Sequence, residues 1–147
     1  MRDKDYGPGL PYLLARAHRS ANLGLDRILK RENLSVEQWR VLQALKDGQG
    51  CTMSELSERA LLTMSALSKN ADRMVSRALI MRQRDAVDHR RVLVRLTEFG
   101  HELLTRCDMA VTGFEQDMTS HLSDQDRAEL ARLLTAVSSQ NGSSGRA

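Results

Sequence analysis

The chain has few aromatic residues. Two Phe, two Tyr and one Trp make up 3% of 147 residues, so the core must be filled mostly by Leu, Val, Met and Ala, a composition suited to helix packed on helix. Cysteine and proline are as scarce, with two of each. Cys51 and Cys107 do not amount to a disulfide framework. No apolar run approaches the ~20 residues that a bilayer crossing requires. The opening MRDKDYGPG lacks the apolar core of a signal peptide. GxSxG, P-loop, GxGxxG and HExxH arrangements are also missing. His18, His89, His101 and His121 are scattered, and His101, Glu102 and Asp108 read as surface polar residues at helical spacing rather than a metal site. These absences leave a soluble, cytoplasmic protein that is not an enzyme, with no cofactor and no metal. It is one compact domain or one protomer of an intertwined dimer.

What the chain does have is charge gathered in one place. Between positions 63 and 95 eight basic residues (Lys69, Arg73, Arg77, Arg82, Arg84, Arg90, Arg91, Arg95) face three acidic ones (Asp72, Asp85, Asp88). The chain as a whole has 22 basic and 19 acidic residues, so 14 basic and 16 acidic remain elsewhere. A local positive field on a nearly neutral protein calls for a polyanionic partner docked on that segment.

The same segment has a legible order of elements. Thr63 suits a helix N-cap, and the helix that follows, over 63–79, should bury Met64, Leu67, Ala71, Met74, Val75 and Ala78 along one stripe. Its other face carries Ser65, Ala66, Lys69, Arg73 and Ser76, with Ser68 and Asp72 on the flanks. Small hydroxyls allow close approach of the backbone, and Ser65, Ser68, Lys69 and Arg73 can reach base edges or phosphates in a major groove. Ile80–Arg84 and Arg91–Leu96 then bracket the polar hexapeptide Asp85 to Arg90. Val92, Val94 and Leu96 alternate with Arg91 and Arg95, the period of a strand with one buried face, and Leu93 breaks the alternation. A hairpin with a charged tip results. Its Arg90, two residues from Asp88 and aimed by that carboxylate, suits the negative minor groove, while Arg84 and Arg91 suit phosphates. Helix and hairpin in this order read as a winged helix-turn-helix.

Upstream, Ser35 with Gln38 and Thr52 with Glu55 are capping boxes, and Leu34 with Trp39 makes a hydrophobic staple. They open a second helix ending at Asp47-Gly48-Gln49-Gly50 and a short third helix through Ala60. Before them a long helix runs from Pro11 to about Arg31. Its stripe of Leu10, Leu14, Ala17, Ala21, Gly24, Leu25 and Ile28, widened by Tyr12, Leu13, Leu23 and Leu29, exceeds what one small domain can cover. After the hairpin, Thr97 caps a fifth helix and Ser123 a sixth, the latter bearing Leu130, Leu133, Leu134 and Val137. The expected organisation is a flexible lead over 1–9, dimerisation helices over 10–32 and 98–138, a DNA-binding block over 35–96, and a disordered tail over 139–147. The fold class is mainly α, with a two-stranded β-wing.

The run DAVDHRRVLVRLTEFG resembles the wing and following helix of the MarR family of winged-helix regulators, whose pattern is D-P-x-D-R-R-x-x-x-V-x-L-T-x-x-G. Asp85, Asp88, Arg90, Val94, Leu96, Thr97 and Gly100 match it, whereas Ala86 replaces Pro and His89 replaces the first Arg. The resemblance covers about residues 10 to 138. It implies a homodimer held by the first, fifth and sixth helices, a palindromic double-stranded DNA operator, usually repression, and Arg90 as the minor-groove arginine. Two heads on a dyad would read half-sites about one turn, ~34 Å, or a multiple of it apart. It also implies a small-molecule effector of the phenolic or aromatic acid kind, lodged near Tyr12, Arg16, His18, Arg19, Trp39 and Arg40. Two other readings stand beside this one. The basic wing could grip an acidic protein partner, or a cysteine could sense oxidants, since Cys51 precedes a helix N-terminus that would lower its pKa, whereas Cys107 reads as a core residue.

Overall fold

The computed structural model describes residues 7–140. The lead and tail expectations therefore fall outside it for 1–6 and 141–147. The elements are α1 (Leu10–Leu29), a 3-10 turn (Lys30–Glu32), α2 (Val36–Ala44), α3 (Met53–Ala60), α4 (Met64–Ser76), β1 (Ile80–Arg84), β2 (Val92–Leu96), α5 (Glu98–Met118) and α6 (Asp124–Gln140). Among the described residues no helix is long and apolar enough to cross a membrane. The chain divides into two compact units, one up to Val111 and one from Thr112.

In the first unit the local signals form as the sequence dictates. Ser35 Oγ accepts from Gln38 N (3.1 Å) while Gln38 Oε1 accepts from Ser35 N (3.3 Å), closing the first capping box. Thr52 and Glu55 close the second in the same way, at 3.3 and 3.0 Å. Thr63 Oγ1 accepts from Ala66 N (3.1 Å) and starts α4. Each such cap contributes about 1 kcal/mol. The helices enclose one core: Leu29, Leu34, Val41, Leu42, Leu45, Leu56, Ala60, Leu67, Ala71, Met74, Leu79, Ile80, Val94, Leu103, Leu104 and both cysteines are buried. Each buried Leu contributes about 1.5–3 kcal/mol, which outweighs any single cap.

Between α3 and α4 the chain turns at Leu61, whose φ of 57° lies in the left-handed region and ends α3. Ser57 spans this turn, donating its hydroxyl to the Leu62 carbonyl (2.9 Å) while its own carbonyl accepts from the Leu62 amide (3.0 Å). The antiparallel hairpin pairs Ile80 with Leu96 and Arg84 with Val92. Cys51, just ahead of α3, joins its root: Cys51 N donates to Val94 O (3.2 Å) and Val94 N to Cys51 O (2.7 Å). The wing is thus hydrogen-bonded to the helix-turn-helix.

Several burial expectations are corrected. Met64 and Val75 are 48% and 36% exposed because the buried stripe of α4 is narrower, running through Leu67, Ala71 and Met74. Ala78 is exposed because the helix stops at Ser76 and Ala78 turns left-handed, φ 57°. Val92 is exposed and Leu93 buried, the reverse of the expected alternation. Successive strand residues point to opposite faces, so Leu93 and Val94 buried together mean that the hairpin root is covered on both sides, whereas Val92 lies nearer the bare tip. Helix α2 ends at Ala44, earlier than expected. In α1 the fully buried residue is Leu29, and Leu10 and Ala17 are exposed.

The second unit holds the end of α5, a turn and α6. Ser123 Oγ accepts from Asp126 N (3.1 Å), the expected cap of α6. The helix then continues through Ser139 into the segment expected to be disordered, and the Ser138 and Ser139 hydroxyls donate to the carbonyls of Leu134 and Thr135 (2.8 Å each). Leu130, Leu133, Leu134 and Val137 stay 42–47% exposed.

Candidate nucleic-acid interface

Helix α4 presents Ser65, Ser68, Lys69, Asp72, Arg73 and Ser76 to solvent, the face expected from spacing. Its rotation about its axis is fixed by a residue that the sequence reading did not single out. Asn70, only 7% exposed, donates through Nδ2 to Glu37 Oε2 on α2 (2.8 Å) and to the Ala66 carbonyl (3.0 Å). A buried amide left without partners would cost about 1–3 kcal/mol, so this pair holds the polar face outward. A cleft of about 410 Å³ runs beside that face, lined by Ser35, Glu37 and Gln38 of α2 and by Thr63, Ser65, Lys69, Asn70 and Arg73. An apolar position in the middle of a hydrophilic helix would have been the available signal. Asn in that place is its polar equivalent.

The wing tip is shaped by two Asx turns. Asp85 Oδ1 accepts from Val87 N (3.0 Å) and Asp88 Oδ1 from Arg90 N (3.1 Å). Asp88 therefore holds the backbone of Arg90, and no ion pair joins the two side chains, which corrects the expected aiming of the guanidinium by the carboxylate. The tip projects: Val87 is 93% exposed, and Ala86, Asp88, His89, Arg90 and Arg91 are exposed too.

The eight cations of this segment divide into two sets. Arg77 donates to the carbonyls of Asn33 (2.6 Å) and Glu32 (3.3 Å), and Arg95 to that of Gly48 (2.7 Å). Arg82 pairs with Asp72 (2.9 Å) and Arg91 with Glu55 (3.2 Å). Among the described residues Lys69, Arg73, Arg84 and Arg90 make no ion pair and donate no side-chain hydrogen bond. The first set braces the wing and the ends of the helices. The second is spread over α4, β1 and the tip and has its full valence for an outside anion. Of the residues expected to contact DNA, only Arg91 is already engaged by a carboxylate.

The expected effector residues are not brought together. A groove of about 490 Å³ between α1 and α2 includes His18 and Arg19, with Asn22, Leu23, Asp26 and Val36. Tyr12 and Arg16 lie on the exposed part of α1 outside it, and Trp39 and Arg40 are half-buried on α2, their indole and guanidine Nε–H groups enclosed without a partner.

The surroundings of Cys51 work against the lowered pKa that the alternative oxidant-sensing reading needs. The residue is 1% exposed, and burial raises the thiol pKa despite Arg59 nearby. Burial likewise pushes Cys107 up to about 11. Since the thiolate is the reactive form, both thiols should resist a disulfide-exchange reagent at pH 8 in the folded protein and react fully after unfolding. Fast labelling of either in the native state would contradict this. Asp108 is occupied by Gln43 and Lys46, and no group of three or more potential metal ligands lies among the described residues.

A helix-turn-helix pair carrying a hydrogen-bonded wing, with free cations spread over both, defines the winged-helix class of transcriptional regulators. The family model described as MarR family matches residues 32–91. The HTH-type transcriptional repressor IacR of Pseudomonas putida is 30% identical over 126 residues, spanning 86% of this chain and 75% of the relative. The homoprotocatechuate degradative operon repressor of Escherichia coli is 25% identical over 125 residues, spanning 85% and 84%. Among solved structures, a MarR mutant from E. coli complexed with operator DNA superposes with a TM-score of 0.78 at 27% identity, over 87% of this chain and 92% of that one. The chain belongs to the MarR family of transcriptional regulators.

Proposed function

We propose that the protein is a homodimeric repressor that binds a palindromic operator in its own regulatory region and releases it when a small phenolic or aromatic acid binds. Ser65, Ser68, Lys69 and Arg73 enter the major groove, Arg90 enters the minor groove with its backbone set by Asp88, and Arg84 lies along phosphates with Arg91 beside it. The observation that carries this reading is the set of four cations without protein partners on α4, β1 and the wing tip. The related MarR structure is complexed with operator DNA, which supports the same use of the surface. Exposed Leu10, Tyr12 and Leu23 on α1, at 56–59%, support a second chain as the missing cover. The α1–α2 groove, with Arg19 for a carboxylate and Leu23 and Val36 for a ring, supports an acidic aromatic effector, as does the name of the homoprotocatechuate operon repressor.

Arg90→Ala tests the minor-groove role. It should leave the two-chain mass in sedimentation unchanged and cost at least about 1 kcal/mol of DNA affinity in a gel-shift titration at fixed salt. Unchanged binding would remove Arg90 from the interface. A monomer would remove the dyad.

A further inference from the structure

We infer that Glu55 is an intramolecular competitor for Arg91, occupying the guanidinium that would otherwise hold a DNA phosphate and so setting the strength of DNA binding. This rests on the DNA-binding reading above.

Glu55 has two tasks, one for each oxygen. Oε2 accepts from the Thr52 amide (3.0 Å) and closes the capping box of α3. Oε1 accepts from the Arg91 guanidinium (3.2 Å) at the tip end of the wing. The first task does not need a charge, because the same chain closes the same box on α2 with a neutral residue, Gln38 on Ser35. The charge is therefore available for the second task alone. Both side chains of the pair are nearly half exposed, 46% and 45%, and exposed pairs of this kind add little to stability.

The effect of the charge falls on a ligand that itself carries anions. Arg91 follows Arg90, the wing-tip cation, and sits one residue beyond the hairpin's last rung, Arg84 to Val92, where its carbonyl accepts from the Asp85 amide (2.9 Å). With Glu55 beside it, Arg91 is neutralised where its neighbours are not, and a phosphate there must displace a carboxylate instead of releasing only a solvent counterion. The sequence-independent part of the affinity is thereby lowered, because each phosphate neutralised adds about 0.9 to the slope of log affinity against log salt.

Glu55→Gln keeps the cap and removes the charge. The experiment is a salt series with a labelled duplex of random sequence, using the full-length wild type and three variants: Glu55→Gln, Arg91→Gln and the double substitution. Melting temperatures confirm that each is folded. Glu55→Gln should bind several-fold more tightly at low salt, with a slope steeper by about 0.9 per head, and should have no effect once Arg91 is Gln. Unchanged binding would overturn the inference. Weaker binding with a shallower slope would do so as well, making Glu55 the residue that aims Arg91. Equal tightening with and without Arg91 would reduce Glu55 to a general repulsion. A wild-type chain with no salt-dependent binding would instead sink the DNA-binding reading itself.

Discussion

Gly100→Ala should cost roughly 3 kcal/mol of stability or more, enough to unfold much of a marginally stable domain. A β-carbon at this position would lie 2.0 Å from the Leu79 carbonyl oxygen and 3.1 Å from its carbon. The oxygen has no room to retreat, since it accepts from Thr97 N (3.1 Å), and the Leu79 amide is itself bonded to the Met74 carbonyl (2.9 Å). The close approach is backbone against backbone, and no flexible side chain can yield. The gain in helix propensity from Gly to Ala, about 1 kcal/mol, is too small to offset it. Gly113→Ala, in the same helix with nothing within 4 Å of the added carbon, should be neutral or slightly stabilising. Urea denaturation of the two variants gives the comparison. Equal midpoints would mean that the α5 start is looser than its hydrogen bonds imply.

Replacing Lys69, Arg73, Arg84 and Arg90 together by Gln should nearly abolish DNA binding and leave the fold intact. Among the described residues none of the four makes an ion pair or donates a side-chain hydrogen bond, so their loss breaks none of these, while each cation removed should cost roughly 1 kcal/mol or more of affinity. Together that is about a thousandfold, and the salt slope should fall by about 3.6 per head. The contrasting set, Arg77, Arg82, Arg91 and Arg95 to Gln, should do the opposite: it removes braces to Asn33, Asp72, Glu55 and Gly48 and should lower the melting temperature more than it flattens the slope. If the two sets changed the slope equally, the division between free and braced cations would have no bearing on function.

That division is what the sequence could not reveal. The capping boxes at Ser35 and Thr52, the Thr63 cap and the hairpin around Asp85 to Arg90 are local, written in residues three or four apart, and all form. The polar face of α4 was legible for the same reason. Which arginine finds a partner depends on residues 10 to 47 positions away, as for Arg82 with Asp72, Arg91 with Glu55 and Arg95 with Gly48, and no helical or strand periodicity encodes that. Asn70 was passed over because a lone amide on an apolar stripe looks like an imperfection, although its partner Glu37 lies 33 positions away. The Cys51 thiol was misjudged because a helix N-terminus is visible in sequence and a β-bridge to Val94 is not.

The Thr97 hydroxyl has a mechanical consequence. It accepts from the Gly100 amide (2.9 Å), which starts α5, and donates at 2.5 Å to the Ala78 carbonyl, two residues beyond the end of α4. One small side chain therefore serves as the axle between the start of α5 and the end of α4. There is no loose link between them to absorb a twist. A tilt imposed on the start of α5 would therefore be passed to the C-terminal end of α4, so that the exposed polar face of α4 would turn with it.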